Sequence, residues 1–235
     1  MATQDRTDGM SLEEALQHFA HRQAGRVSSQ EFARESLRRA ILSGALPAGM
    51  VLTQSRVADA LGMSTTPVRE ALRDLASDGL IHIDRYTTTS VHRPTTEELM
   101  EVYHLRKLLE THAVTQIIER GDQECLDEAG KIQSRLDDET DPAEWVLLNA
   151  DFHTALTKGA ASRRLSTILD GLRGAVSVYL GMAIRENPSR REESNVEHRE
   201  LLEACRAGDL PRAIHITEIH MDPTRDAVEH VLGEA

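Results

Sequence analysis

Apolar positions recur at helical spacing along most of the 235 residues, and one short stretch breaks the pattern. Ser11 with Glu14 forms a capping box ahead of Leu12, Ala15, Leu16, Phe19 and Ala20, which predicts a short amphipathic helix. Ser28 and Glu31 repeat that cap, and the stripe Phe32, Leu37, Ala40, Ile41 stops at Gly44, so a helix is expected near 29–43. A turn at Leu46-Pro47-Ala48-Gly49 and an extended Val51-Leu52 follow. Thr53 then caps a helix through Val57, Ala58 and Leu61 to Gly62. The next is expected to begin at Thr66, with Pro67 in the first helical position where its missing N–H costs nothing, and to end before Gly79. Only Gly62-Met63-Ser64-Thr65 joins these two, the short glycine-containing link of a helix-turn-helix. At this point the period changes to two. Residues 80–84 and 89–92 alternate on either side of Arg85-Tyr86-Thr87-Thr88, which predicts a hairpin, the wing of a winged helix.

Beyond Pro94 the helical period returns and no alternating run appears again. Thr95 or Thr96 with Glu98 opens a helix through Leu99, Val102, Tyr103, Arg106, Leu109 and Glu110. Breaks near 121–122, 140–142, 159–163, 187–189 and 207–209 imply about six helices. The expected fold is therefore mainly α: an N-terminal winged helix-turn-helix and a C-terminal all-α antiparallel bundle. We divide the chain into an extension with a short helix (1–27), the winged helix (28–94) and the bundle (95–235).

Charge separates the same segments. Residues 1–94 hold 11 Arg, no Lys and 11 acidic residues, so the whole formal charge of -12 falls in the second part. A polyanion should meet the first, because phosphate contacts need guanidinium or ammonium groups. Val68, Ala71, Leu72 and Leu75 take one face of the helix after the turn, which leaves Arg69 and Arg73 pointing outward. Thr65, Thr66 and Arg69 stand at its start, the end that enters the major groove in this motif. An aromatic content of 3% argues against single-strand binding by base stacking. No run approaches the length of a membrane span and no apolar leader is visible, so a cytoplasmic protein with two reduced cysteines, Cys125 and Cys205, is expected.

Leu46-Pro47-Ala48-Gly49, Thr66-Pro67-Val68-Arg69-Glu70-Ala71-Leu72 and the stretch from Leu75 to Leu80 resemble the winged helix of the GntR superfamily of bacterial transcription regulators. The resemblance implies duplex DNA as partner, with Arg56, Thr65, Thr66, Arg69, Arg73 and Arg85 as contacts. Three positions depart from the pattern: Thr65 and Ser55 stand where the family commonly has Arg, and Tyr86-Thr87-Thr88 replaces an arginine-glycine wing tip. Fewer guanidinium groups release fewer counterions, so DNA binding is expected to be weaker or directed to an atypical operator.

The bundle carries polar residues placed to face inward. Asn149 and His153 share one helix face between Leu148, Phe152 and Leu156, while His198 and His220 belong to later helices. Three imidazoles and one amide oxygen suit zinc, nickel or a similar borderline divalent ion. Eleven histidines also scatter onto helices by chance, as His104, His112 and His215 illustrate, so spacing alone leaves a surface pair as the competing reading. The order Glu101 to Glu110, Asn149 to His153, Glu197-His198-Arg199 and Gly208-Asp209 with Ala213 and His220 is similar to the FCD effector domain of FadR-like GntR regulators. That resemblance, which with the winged helix spans about 28–232, implies a divalent metal on Asn149, His153, His198 and His220. It also implies a small organic acid as effector. Asn149 stands where Asp is commoner, so the site lacks an anionic ligand and should hold metal less tightly. Arg106 is a candidate clamp for the acid's carboxylate, or an i,i+4 ion pair with Glu110.

These readings predict a homodimeric, ligand-responsive regulator on a pseudo-palindromic operator with half-sites about one helical turn apart. Repression relieved by ligand is the commoner outcome in the family. A metal-dependent enzyme is the rival of another class, with Asp151 or Glu197 as base, but no paired nucleophile accompanies either. A regulator whose bundle is only a dimerisation scaffold is the third reading.

Overall fold

A computed structural model describes residues 11–20, 28–84, 88–160 and 162–234. Twelve elements follow in chain order: α1 (Leu12–Ala20), α2 (Ser29–Leu42), α3 (Gln54–Leu61), α4 (Thr65–Ser77), β1 (Ile81–Ile83), β2 (Thr89–Val91), α5 (Thr96–Arg120), α6 (Gln123–Asp138), α7 (Pro142–Lys158), α8 (Arg163–Glu186), α9 (Ser189–Ala207) and α10 (Leu210–Glu234). The architecture is a winged helix-turn-helix followed by an all-α bundle. The expected caps form: Ser28, Thr53 and Thr95 each accept from the backbone N–H three residues on. Gly62 ends α3 in the left-handed region at φ 65°, the conformation a glycine adopts without steric cost.

One start differs from expectation. Ser64 is the N-cap of α4, so Pro67 is the third helical residue and not the first. Any of the first helical positions tolerates it, since their N–H groups have no partner within the helix. The wing is an antiparallel pair with Ile81 opposite Val91 and Ile83 opposite Thr89, and Val51 bridges to Ser90 on its outer side. Arg85 and the wing tip Tyr86-Thr87 lie outside the described residues.

Leu12, Leu16, Leu37, Ile41, Leu46, Leu52, Leu72 and Leu75 are fully buried, so α1 is a working part of the winged-helix core. In the bundle Trp145, Phe152 and Tyr179 are the largest fully buried side chains among the described residues. Trp145 Nε1–H donates to Asn195 Oδ1 (3.0 Å), and Asn195 in turn donates to the Leu136 carbonyl (3.1 Å). Among the described residues no helix is long and apolar enough to cross a membrane.

The two halves touch along one seam. The turn after α4 lies on α8, where Gly171 and Gly174 let backbone approach: a Cβ on Gly174 would stand 3.1 Å from the Asp78 carbonyl oxygen and 3.2 Å from Leu80 Cγ. Gly79, at φ +75°, meets the Gly171 carbonyl. From α2, Arg39 reaches Glu144 of α7 (3.4 Å) and Arg38 approaches Asp151 (3.8 Å).

Candidate DNA face and effector cavity

The winged-helix residues fall into two groups. Thr65, Thr66, Arg69 and Arg73 are all exposed on α4, opposite its buried face of Val68, Ala71, Leu72 and Leu75. Arg56 is also exposed, yet its guanidinium forms a forked contact with Glu13 of α1 at 3.0 to 3.3 Å. A phosphate at Arg56 would have to displace that carboxylate. The sequence offered no local sign of this pairing, since the partners are 43 residues apart.

In the bundle the structure brings His153, His198 and His220 together, with candidate ligand nitrogens all within 4.8 Å of one another and all three side chains buried. Each comes from a different helix, α7, α9 and α10. Two of the three rings are held from behind. Nδ1 of His198 bonds to Gln133 Oε1 (3.0 Å) and Nδ1 of His220 to Glu197 Oε2 (2.6 Å), which leaves Nε2 of each facing inward. Glu197 is gripped by Arg190, so its orientation is fixed too. Burial, then the neighbouring imidazole and arginine charges, holds His153 and His198 well below the ordinary histidine range, in the neutral form that ligates metal.

Two buried atoms here have no hydrogen-bond partner: His198 Nε2 and Asn149 Oδ1. Unsatisfied polar atoms at such depth are uncommon. Both are acceptors of the type a borderline divalent ion takes, and Asn149 sits one turn before His153 on the same helix. The residues therefore fit such an ion. Asp151 does not join them, being turned to Arg38.

His153, His220 and Asn149 line a cavity of about 320 Å³, at the lower end of the range for small-molecule sites. Arg106 also lines it, and the ion pair with Glu110 forms (Nε to Oε1 2.9 Å). Sequence reasoning missed Arg173 of α8, which approaches the same carboxylate at 3.4 Å and whose Nη2 is buried without a hydrogen-bond partner. Burial alone would push the Glu110 carboxyl up; Arg173 and Arg106 outweigh it and hold it at about 2. The signal was present: Arg173 interrupts an apolar stripe of Leu165, Leu169 and Val176, where a charge has no place without a buried partner.

Residues 29–91 match the bacterial regulatory proteins of the gntR family, and residues 101–223 match the FCD domain. The chain is a GntR regulator with an FCD domain. Relatives of this GntR chain include the gluconate operon transcriptional repressor of Bacillus subtilis, 24% identical with 82% of each chain covered. A probable D-xylose utilization operon transcriptional repressor of Paenarthrobacter nicotinovorans is 27% identical over 82% of this chain and 85% of its own length. Among solved structures, McbR/YncC of E. coli superposes with a TM-score of 0.76 at 24% identity, covering 87% of this chain and 99% of that one, which shows the shared fold. The GntR chain is thus a DNA-binding transcription regulator and no enzyme, which removes the reading as a metal-dependent enzyme. Glu197, one of that reading's two candidate bases, is bound by Arg190 and His220.

Proposed function

We propose that this protein is a cytoplasmic, homodimeric repressor whose FCD cavity takes a small organic acid beside a divalent metal and thereby resets its affinity for a pseudo-palindromic operator. The observation that carries the reading is that a cavity lined by Asn149, His153, His220, Arg106 and Arg173 borders the buried cluster of His153, His198 and His220. Asn149, His153, His198 and His220 would hold the metal, which when bound supplies a Lewis-acid anchor for an anion. Arg106 and Arg173 add cationic donors, held in place by Glu110 and, for Arg173, by Asp170. Two relatives are named for operons that handle a sugar acid and a sugar, which agrees with an acid of carbohydrate origin.

DNA is read by Thr65, Thr66, Arg69 and Arg73 at the start and along the outer face of α4, with Arg56 and Arg85 as flanking contacts. The exposed apolar strip Met100, Leu105 and Leu108 on α5 is the face we assign to the second copy, since a two-fold contact needs one self-complementary patch. The test joins two measurements on the full chain purified without chelator. Metal analysis should find about one ion per chain, lost in the His153→Ala/His198→Ala variant. Gel shifts with its own promoter DNA should respond to a panel of organic acids. Equal metal in both proteins removes the metal, and DNA binding indifferent to every acid leaves only the scaffold reading.

A further inference from the structure

The cavity is not enclosed by the FCD domain alone. Arg34, Arg38 and Leu42 of α2, with Asp78 and Leu80 of the turn after α4, form part of its wall, so the winged helix contributes side chains to the place where an effector would sit. The cations from the two domains differ in how they are held. Arg34 is spent: it hydrogen-bonds Asp78 at 2.9 Å and is paired with Glu31 at 3.4 Å. Arg38 is not. Its nearest carboxylates, Glu35 and Asp151, stand at 3.5 and 3.8 Å, and among the described residues it makes no hydrogen bond. A guanidinium carries five donors, and this one is about four-fifths buried, with 21% of its side chain exposed. A group so placed is short of an acceptor.

Deeper in the cavity wall Arg173, beside Arg106, bonds Asp170 through Nη1 (3.4 Å) and leaves Nη2 buried without a hydrogen-bond partner. His153 and His220 lie at that deep end too, with 4% and 10% of their side chains exposed. We infer that the effector is a small dianion: one acidic group is held at the Arg106–Arg173 end and a second, carboxylate or phosphate, bridges to Arg38 of the DNA-binding domain. This deepens the effector reading and rests on it. A single carboxylate satisfies the deep end and leaves Arg38 where it was. A second acidic group gives Arg38 the charge-assisted, forked bonds that Glu35 and Asp151 do not, and ties α2 to the bundle through the ligand.

Matched acids test this on the full-length protein by titration calorimetry: pentanoate against glutarate, gluconate against glucarate, and 6-phosphogluconate for a phosphate in the second position. Wild type should bind each dianion at least about tenfold tighter than its monoanion, the factor expected for one charge-assisted hydrogen-bonded contact. Arg38→Gln should erase that preference, leave the monoanion unchanged and keep the melting temperature. Arg38→Lys should restore part of it. Glucarate or glutarate alone preferred places the second carboxylate there, and 6-phosphogluconate alone places a phosphate there. An equal dianion preference in wild type and Arg38→Gln overturns the assignment of Arg38 while the effector reading stands. Equal binding of both acids by wild type overturns the dianion. No binding of any acid at millimolar concentration overturns this inference together with the effector reading beneath it.

Discussion

Replacing Gly174 by Ala sets two opposing magnitudes against each other at the domain seam. Gly174 lies inside α8, where Ala is favoured over Gly by about 1 kcal/mol. Its new Cβ would stand 3.1 Å from the Asp78 carbonyl oxygen and 3.2 Å from Leu80 Cγ, tighter than ordinary van der Waals contact. Neither neighbour can step aside easily. Asp78 presents backbone, and Leu80 is buried with its N–H bonded to the Leu75 carbonyl of α4 at 3.0 Å. Overpacking of this kind costs about 1–3 kcal/mol, so the clash outweighs the helix gain. Gly171 is the internal control. It sits one turn earlier on α8, but its Cβ would be 3.6 Å from the Asp78 carbonyl, an ordinary contact, so Gly171→Ala keeps the propensity gain. The two variants should differ by about 1–3 kcal/mol, which at this size is several degrees of melting temperature. Thermal unfolding of full-length proteins measures the difference, and hydrogen exchange at residues 78–80 locates it, with faster exchange in Gly174→Ala. Melting of Gly174→Ala at or above Gly171→Ala would show that the turn does not bear on α8, and the seam argument would fail.

Three other outcomes follow from the same contacts. Glu110→Gln leaves Arg106 and Arg173 buried without their carboxylate and should cost about 3–5 kcal/mol in urea unfolding; a loss under about 1 kcal/mol would mean the cluster is hydrated. Arg69→Ala should weaken binding to promoter DNA in gel shifts at matched salt, whereas equal affinities would take α4 out of the interface. Glu13→Gln frees the Arg56 guanidinium and should raise DNA affinity and steepen its salt dependence by up to about one unit of slope. An unchanged slope would place Arg56 away from the phosphates.

Local chemistry made most of the fold legible. Caps at Ser28, Thr53 and Thr95, glycine stops at Gly62, Gly121 and Gly208, and the change of period at residue 80 mark elements by interactions spanning four residues or fewer. The histidine cluster was legible only in part. Periodicity placed Asn149 and His153 on one face, but His198 and His220 join them through the packing of α9 and α10, which no spacing encodes. Their supports are more remote still: Gln133 is 65 residues from His198. Arg38 illustrates the limit from the other side. In sequence it sits three residues from Glu35, which reads as a solvated surface pair. Only the docking of α2 against α7 turns it towards a cavity.

That docking gives the molecule a short route between the outer face of α4 and the cavity. Gln30 donates to Asp74 of α4 (2.8 Å) and Arg34 to Asp78, its C-cap (2.9 Å), so the helix that presents Arg69 and Arg73 outward is braced from α2. About one turn further along α2, the adjacent Arg38 and Arg39 meet α7 through Asp151 and Glu144. Because the contacts of α2 with α4 and its C-cap are shorter (2.8 and 2.9 Å) than those with α7 (3.4 and 3.8 Å), a perturbation at the cavity should move α2 and α4 together against the bundle, without parting them. A rigid winged helix that pivots keeps its DNA-reading surface and changes only the spacing and angle between half-sites, which is the quantity a two-fold operator measures. Any such ligand must bind one arrangement better than the other, and a coupling of about 1–3 kcal/mol is within reach of a single charge-assisted hydrogen bond between the ligand and Arg38.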